Sequence, residues 1–500
     1  METTQVTGFR RRVLRKIAEF TWNDCLPDRI YDLLYKTVRD DTPRVRCCVH
    51  KERAVLKNRI QMALWQPLGL NIINAANAAL TGEVDKSLPV MDLLPQACDE
   101  CPLDSYYVTD VCRHCVQKKC IDQCPKKAIS VVNGKAFIDK DECMHCGICR
   151  RVCPFKAITE IVRPCLQACG LKALYSGPDK RTVIDRDKCV SCGSCRSACP
   201  FGALDERSLI VQVILALKQK KKITALLAPS FVNQLGAKIS AGQLMAGLHK
   251  VGFTDIVEAA IGADMTALHE TEEFLNKVPD KQEYMTSSCC PAFVTLVKKH
   301  FPEMTDKISE TVSPMIATGR WLKSKDPDAL VCFIGPCIAK KTEAIANPDA
   351  IDYVLTYEEL QCLFEGIGID LATIEAEPYT PTASTDAMGF PLNRGVQKSV
   401  LNLLKKEAPI DAVLDYQDGI GAIKDKLTLL KNGKLNPQPA YIEGMACVNG
   451  CIDGPGTMIQ PGLARVMVTK LGNTATAKTS DDNQTAVYAI TQINMETKHS

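Results

Sequence analysis

No apolar run in this 500-residue chain approaches the ~18 consecutive residues that a membrane-spanning helix needs. Charge of one sign is missing too. The 61 Lys and Arg residues against 58 Asp and Glu leave a net charge of +3, which points neither to nucleic acid nor to an anionic membrane surface. No Gly-x-Gly-x-x-Gly opens a helix after a strand, so a nicotinamide cofactor has no support. The plant-type ferredoxin run Cys-x4-Cys-x2-Cys is absent as well. Arg11-Arg12-Val13-Leu14-Arg15-Lys16 faintly matches a twin-arginine export signal, but Glu19, Asn23 and Asp24 interrupt the apolar segment that should follow. The expectation is a soluble, cytoplasmic protein.

What the chain has in excess is cysteine, 26 in all. A chain long enough for two or three cored domains has little need of a disulfide scaffold, and clustered cysteines argue for metal ligation in a reducing interior. Cys143-x2-Cys146-x2-Cys149-x3-Cys153-Pro154 has the bacterial ferredoxin spacing, and Cys189-x2-Cys192-x2-Cys195-x3-Cys199-Pro200 repeats it. A looser version runs Cys112-x2-Cys115-x4-Cys120-x3-Cys124-Pro125. Three close thiolates can wrap one iron–sulfide cube, while the fourth points away and ligates a neighbour. A four-cysteine zinc knuckle is the alternative, and it suits one such run better than three.

Counting ligands then assigns the cysteines to sets. Cys112, Cys115, Cys120 and Cys153 form the first, and Cys143, Cys146, Cys149 and Cys124 the second. Cys189, Cys192 and Cys195 lack a partner that Cys169 supplies, making a third. Cys98, Cys101, Cys165 and Cys199 are left as a possible fourth, with a simple thiol pair as the other reading of Cys98-x2-Cys101. Two to four 4Fe–4S clusters are expected, in two α+β ferredoxin-like units.

Residues 1–95 read as a mostly helical segment. Val13, Ile17 and Phe20 recur at helical spacing and Pro27 is expected to end that run. Adjacent Cys47 and Cys48 read as structural rather than metal-binding. The ferredoxin-like units fill 96–205. A linker is expected at 206–222, where the apolar run Leu209 to Leu217 precedes the charged Lys218-Gln219-Lys220-Lys221-Lys222, a stretch that could also steer an acidic electron carrier. From 223 to 470 short apolar runs alternate with helical patterns: Ile223 to Leu227, Ile256 to Ala260, Leu330 to Ile334 and Ala412 to Leu414. That rhythm predicts an α/β catalytic domain, two lobes of short parallel sheets flanked by helices, with ligands at strand ends. Residues 471–500 are expected to be a weakly packed tail with a strand near Val487 to Ile490.

Three further cysteine loops lie in the α/β half: Thr286-Ser287-Ser288-Cys289-Cys290-Pro291, Gly335-Pro336-Cys337-Ile338-Ala339-Lys340-Lys341-Thr342-Glu343, and Glu443-Gly444-Met445-Ala446-Cys447-Val448-Asn449-Gly450-Cys451. Together, and in this order, they resemble the three signatures of the iron-only (FeFe) hydrogenase family. The resemblance implies a monomeric enzyme that interconverts protons, electrons and dihydrogen. Cys290, Cys337, Cys447 and Cys451 would hold the cubane of the active-site cluster (H-cluster), and Cys451 would bridge to its diiron subsite. Lys340 and the segment Ala228-Pro229-Ser230 match the positions that hydrogen-bond the subsite's cyanides. Cys289, Glu270, Ser309 and Glu273 fall where the family's proton relay lies. By helix position alone, roughly opposite Met265, Leu268 and Leu275, the two glutamates are expected to face solvent rather than form a relay.

Four departures stand out. Ala292-Phe293 replaces a Gly-Trp, Gly335 a Met, Met315 a Gln, and Pro455 interrupts a glycine run. They resemble the less-studied group B branch. Implied partners are a ferredoxin or flavodoxin carrier and hydrogenase maturation proteins. The competing readings are a non-enzymatic iron–sulfur assembly scaffold, whose members lack the Cys289 and Lys340 types, and a hydrogen sensor with an appended signalling domain.

Overall fold

The computed structural model describes residues 4–40, 45–82, 84–101, 105–407 and 413–497; Ala412, where one strand was expected to begin, lies outside them. The N-terminal segment is helical: α1 (Gln5–Trp22), α2 (Leu26–Thr37), α3 (Val49–Ala63) and α4 (Ile72–Leu80). The Thr4 hydroxyl caps α1 by accepting from the Thr7 N–H. Val13, Leu14, Ile17 and Phe20 form its buried stripe. Pro27 does not end this helix. It sits in the first turn of α2, where its missing N–H has no partner to lose.

The expected linker is instead a core helix, α5 (Ile210–Lys218). Ile210, Val211, Val213 and Ile214 are fully buried, as a helix apolar on every side must be. Each such side chain contributes about 1.5–3 kcal/mol. Lys218 is tied down as well, 2.6 Å from the Trp22 carbonyl and 2.5 Å from the Asp24 carboxylate. Only Gln219 to Lys222 are exposed.

The ferredoxin-like units are nested. Met91–Leu93 pairs antiparallel with Leu204–Glu206, and Leu174–Ser176 with Thr182–Ile184, to make one unit. The other, closed by Ser105–Val108 against Ile158–Ile161 and by the hairpin Ile129–Val132 with Lys135–Ile138, is inserted between the halves of the first.

In the α/β half the strands are β1 (Ile223–Leu227), β2 (Asp255–Glu258), β3 (Met285–Thr286), β4 (Leu330–Gly335), β5 (Tyr353–Thr356), β6 (Leu414–Asp418) and β7 (Tyr441–Met445). They form two parallel sheets, ordered β2-β1-β4-β5 and β3-β7-β6. All five residues of β1 are buried, which is why it reads as an unbroken apolar run. Two strands are displaced from their expected bounds. The chain turns helical at Ala259, so the run Ile256 to Ala260 is half strand and half helix, and β6 begins at Leu414.

Helices that position the site are α6 (Ala259–Lys277), α7 (Pro291–His300), α8 (Ala339–Ala346) and α9 (Tyr357–Ile367). The N-terminal α1 packs on α9 and α5. The approach to α9 is so close that a Cβ at Gly366 would lie 2.6 Å from the Arg15 carbonyl oxygen. A buried ion cluster joins the three parts of the chain: Arg10 to Asp205 (3.0 Å), Arg11 to Glu358 (3.0 Å), Arg196 to Glu358 (2.5 Å), and Arg59 to Asp205. Burial opposes the charge of Glu358, but Arg196, Arg10 and Arg11 outweigh it and hold its pKa down at about 2.

The C-terminal stretch is not a loose tail, and its expected strand is a helix, α10 (Gln484–Ile490). Ala486 and Ala489 are fully buried, and α10 packs on α6. Beyond it Met495 is buried, and Glu496 bridges to Thr311.

Candidate active site

Three loops at the carboxyl ends of parallel strands carry the four cysteines. Cys290 follows β3 and caps α7, Cys337 follows β4, and Cys447 and Cys451 follow β7. That is where an open parallel sheet places its ligands. The loop between Cys447 and Cys451 turns through Asn449 (φ 66) and Gly450 (φ 83). A Cβ on Gly450 would stand 2.6 Å from the Pro391 carbonyl oxygen, and one on Gly454 would stand 2.7 Å from that of Pro336. Glycine therefore lets these backbones close on one another.

Cys290, Cys337, Cys447 and Cys451 converge around a cavity of about 40 Å³, with Cys192 of the third set also at its wall. Burial pushes all four thiols up, Cys337 to about 12. Such a ring of desolvated sulfurs is a soft donor set that ionises only against a cation. A second cavity of about 80 Å³ adjoins the ring at Cys337, Cys451 and Lys340. Its other walls include Ala228, Pro229, Ser230, Met315 and Cys289. This sulfur ring beside an apolar chamber fits a cubane with a smaller metal subsite attached.

Lys340 is buried and its ammonium donates to Ser313 Oγ (2.9 Å), the Cys289 carbonyl (3.3 Å) and Glu343 (2.6 Å). Burial works to lower its pKa, but Glu343 and the neighbouring thiols raise it overall. Ser230 Oγ and the Tyr357 hydroxyl are 2.8 Å apart, and Tyr357 donates to the Ala228 carbonyl at 3.2 Å. Tyr357 had no signal in the sequence.

The departures have physical counterparts. A Cβ at Gly335 would lie 2.6 Å from the Phe333 ring; that ring fills the space a larger residue there would take. Phe293 lies against Gly444, where a Cβ would be 2.3 Å from its ring. Met315 is buried at the chamber wall. The Pro455 carbonyl accepts from Arg196 at 2.8 Å, and its ring packs on Gly193, between Cys192 and Cys195 of the third set.

From the chamber a line of buried polar groups runs outward. Cys289 neighbours Glu270, whose Oε1 accepts from the Ser288 N–H at 3.2 Å. Tyr441 and Ser309 stand within reach of Glu270, and Glu270 Oε2 is buried without a hydrogen-bond partner among the described residues. Burial first, then the charge of Glu273, pushes Glu270 up to about 8. Ser309 Oγ donates to Glu273. Burial works to raise Glu273 too, but the Glu310 N–H (2.9 Å), Lys277 (2.8 Å) and Ser309 outweigh it and hold it low. Lys277 pairs in turn with the exposed Glu310 at 2.9 Å. Neither glutamate faces solvent. Tyr441 and Thr311, which also donates to Glu273 at 3.1 Å, were missed; nothing in their neighbours marked them.

The remaining cysteines also fall into neighbourhoods. Cys112, Cys115, Cys120 and Cys153 line one cavity of about 30 Å³. Cys149 has Cys143, Cys146 and Cys124 beside it. Cys192 neighbours Cys189 and Cys169, as does Cys195. Cys165 lies near Cys199 and Cys98, and Cys101 near Cys199 and Cys165. The pairing of Met91–Leu93 with Leu204–Glu206 brings that fourth set together across a hundred residues. Cys192 touches the active-site cavity and Cys195 neighbours Cys165, so the order inward is fourth set, third set, sulfur ring.

Residues 221–455 match the family model described as iron only hydrogenase large subunit, C-terminal domain, and residues 136–159 and 182–205 match the 4Fe-4S binding domain. The chain is 25% identical over 301 residues to the periplasmic Fe hydrogenase large subunit of Nitratidesulfovibrio vulgaris, across 50% of this chain and 71% of that protein. It is 27% identical over 305 residues to iron hydrogenase 1 of Clostridium pasteurianum, across 51% of this chain and only about half (53%) of that protein's length. A cytosolic Fe-S cluster assembly factor, NAR1 of Meyerozyma guilliermondii, is 28% identical over 182 residues, 31% of this chain and 34% of its own. Among solved structures, a variant of the hydrogenase HydA1 from Chlamydomonas reinhardtii aligns over 56% of this chain and 93% of its own, at 19% identity and a TM-score of 0.47.

Proposed function

We propose that this chain, whose residues 221–455 match the iron-only hydrogenase model, is a member of that family and a hydrogenase, interconverting dihydrogen with two protons and two electrons. One observation carries the reading beyond family membership. A buried acid–base line leads from Cys289, at the chamber wall, through Glu270, Ser309 and Glu273 to the surface at Lys277 and Glu310. A scaffold that merely stores a cluster has no use for such a line.

Cys290, Cys337, Cys447 and Cys451 would hold the cubane, and the chamber beside Cys337 and Cys451 would take the diiron subsite. When bound, that group supplies an open iron as Lewis acid with a base beside it. Lys340 and Ser230 would satisfy the anionic acceptors it buries. Cys289 Sγ would pass a proton between the chamber and Glu270. With its pKa near 8, Glu270 is mostly protonated at neutral pH yet close enough to it to give up a proton and take one back. Ser309 relays to Glu273, which stays ionised and accepts.

The sixteen remaining grouped cysteines would hold accessory 4Fe–4S clusters, and the inward order of the fourth and third sets towards the sulfur ring is the one an electron wire requires. The reading places the protein in the cytoplasm, exchanging electrons with a ferredoxin or flavodoxin and loaded by maturation proteins. The four departures from the family's common residues favour the group B branch. A second reading, an iron–sulfur assembly factor, is favoured only by the similarity to the NAR1 protein. Infrared spectroscopy of anaerobically matured protein separates the two. A hydrogenase gives carbon monoxide and cyanide stretches; an iron-loaded protein lacking them is an assembly factor.

A further inference from the structure

Cys47 and Cys48, whose adjacency suggested nothing more than packing, occupy a distinctive place. The thiol of Cys47 is exposed and donates to Cys48 Sγ at 3.9 Å. Cys48 caps the 15-residue α3, accepting from the Lys51 N–H at 3.4 Å, at the helix end that stabilises negative sulfur. The segment is tethered to both loops of the fourth cysteine set. Arg46 Nη2 donates to the carbonyl of Phe201, two residues past Cys199, at 2.7 Å. Lys51 Nζ lies 3.8 Å from Asp99, between Cys98 and Cys101. Val55 and Met62 of α3 pack with Ala97 and Ala203 against Cys98 and Cys199. Cys47 and Cys199 also line the same solvent-reaching cavity of about 1150 Å³.

We propose that Cys47 and Cys48 are a redox-active dithiol that exchanges two electrons with the iron–sulfur group held by Cys98, Cys101, Cys165 and Cys199. Neighbouring Cα atoms across a trans peptide are ~3.8 Å apart, short of the ~4.4 Å at which ordinary disulfides begin. A bond between these two sulfurs is therefore strained and readily reduced, a property of labile redox pairs rather than of structural cross-links. In the reducing direction the Sγ–Sγ bond breaks and each sulfur gains one electron and one proton. The electrons arrive one at a time through the iron–sulfur group, and the protons come from solvent at the open cavity. In the oxidising direction both thiols lose their protons and the pair returns two electrons. The inference rests on the fourth set holding a cluster, and hydrogen chemistry enters only as one electron source.

The test uses the full-length holoprotein after mild oxidation with diamide. Reduced methyl viologen, a one-electron donor, is supplied in one arm and dihydrogen in the other, and thiols at Cys47 and Cys48 are counted by differential alkylation and mass spectrometry. The expected result is a disulfide after diamide and two thiols after viologen. Coulometric titration should then show two more electrons per chain than in Cys47→Ser/Cys48→Ser. Cys98→Ser, and the milder Arg46→Ala that cuts the tether to Phe201, should each slow the reduction at least tenfold. Absence of a disulfide, equal electron uptake, or wild-type rates in both variants would overturn the proposal. Reduction by viologen but not by dihydrogen would uphold the dithiol and sink the hydrogenase reading instead.

Discussion

Glu270 and Glu273 stand three residues apart on α6, both buried, and their surroundings tune them in opposite directions. Desolvation and its neighbour's charge lift Glu270 to about 8, whereas Lys277, Ser309 and a backbone N–H keep Glu273 low. Two carboxyls split in this way make a donor and an acceptor. Glu270→Gln keeps the shape but cannot release a proton. Hydrogen evolution from reduced methyl viologen should fall by about 10²-fold or more, with iron content unchanged. Full turnover in that variant would remove the proposed route.

Cys289 adjoins Cys290 in the same loop and lines both cavities, a fifth thiol beside the four ring sulfurs. Cys289→Ala should keep the carbonyl bands in the infrared and lose most turnover. Cys451→Ser should do the reverse, leaving a cubane signal but no carbonyl bands.

Asp264 offers a test of stability away from any cysteine. It is buried on α6 and accepts from the Ser384 N–H (2.9 Å) and from Asn483 (2.7 Å), yet burial still wins and lifts it to about 6. The folded state therefore keeps a proton that the unfolded chain has already lost. Stability due to this group falls as pH rises towards 6, by about 1.4 kcal/mol per unit, and is flat above. Urea unfolding under anaerobic conditions between pH 5 and 7 should show that slope in the wild type and not in Asp264→Asn.

Arg196 is the cation that Glu358, Asp205 and Glu206 share. Arg196→Ala leaves buried carboxylates without it and should cost about 3–5 kcal/mol, read as a lower midpoint in anaerobic thermal unfolding. Pairing it with Glu358→Gln should recover part of the loss.

The cysteine sets were legible because ligand spacing is a local property, written within a dozen residues. The nesting of the ferredoxin-like units was not, since it depends on Met91 finding Glu206, and no local pattern announces a pairing across an inserted unit. The same holds for the burial of Glu270. Helix periodicity supposes one wet face, but α6 is covered by several helices, α10 among them. The expected linker failed for a related reason: a short all-apolar run next to lysines reads alike whether it bridges domains or plugs a core.

The contact of α1 with α9 sets a problem for the nascent chain. The ribosome releases α1 well before its partner helix, which begins some 335 residues later. At ~5–20 residues per second, Val13, Ile17 and Phe20 wait on the order of tens of seconds for their final neighbours. Meanwhile α2 and α3, synthesised directly behind, already lie against α1, giving it temporary shelter until the α/β half emerges.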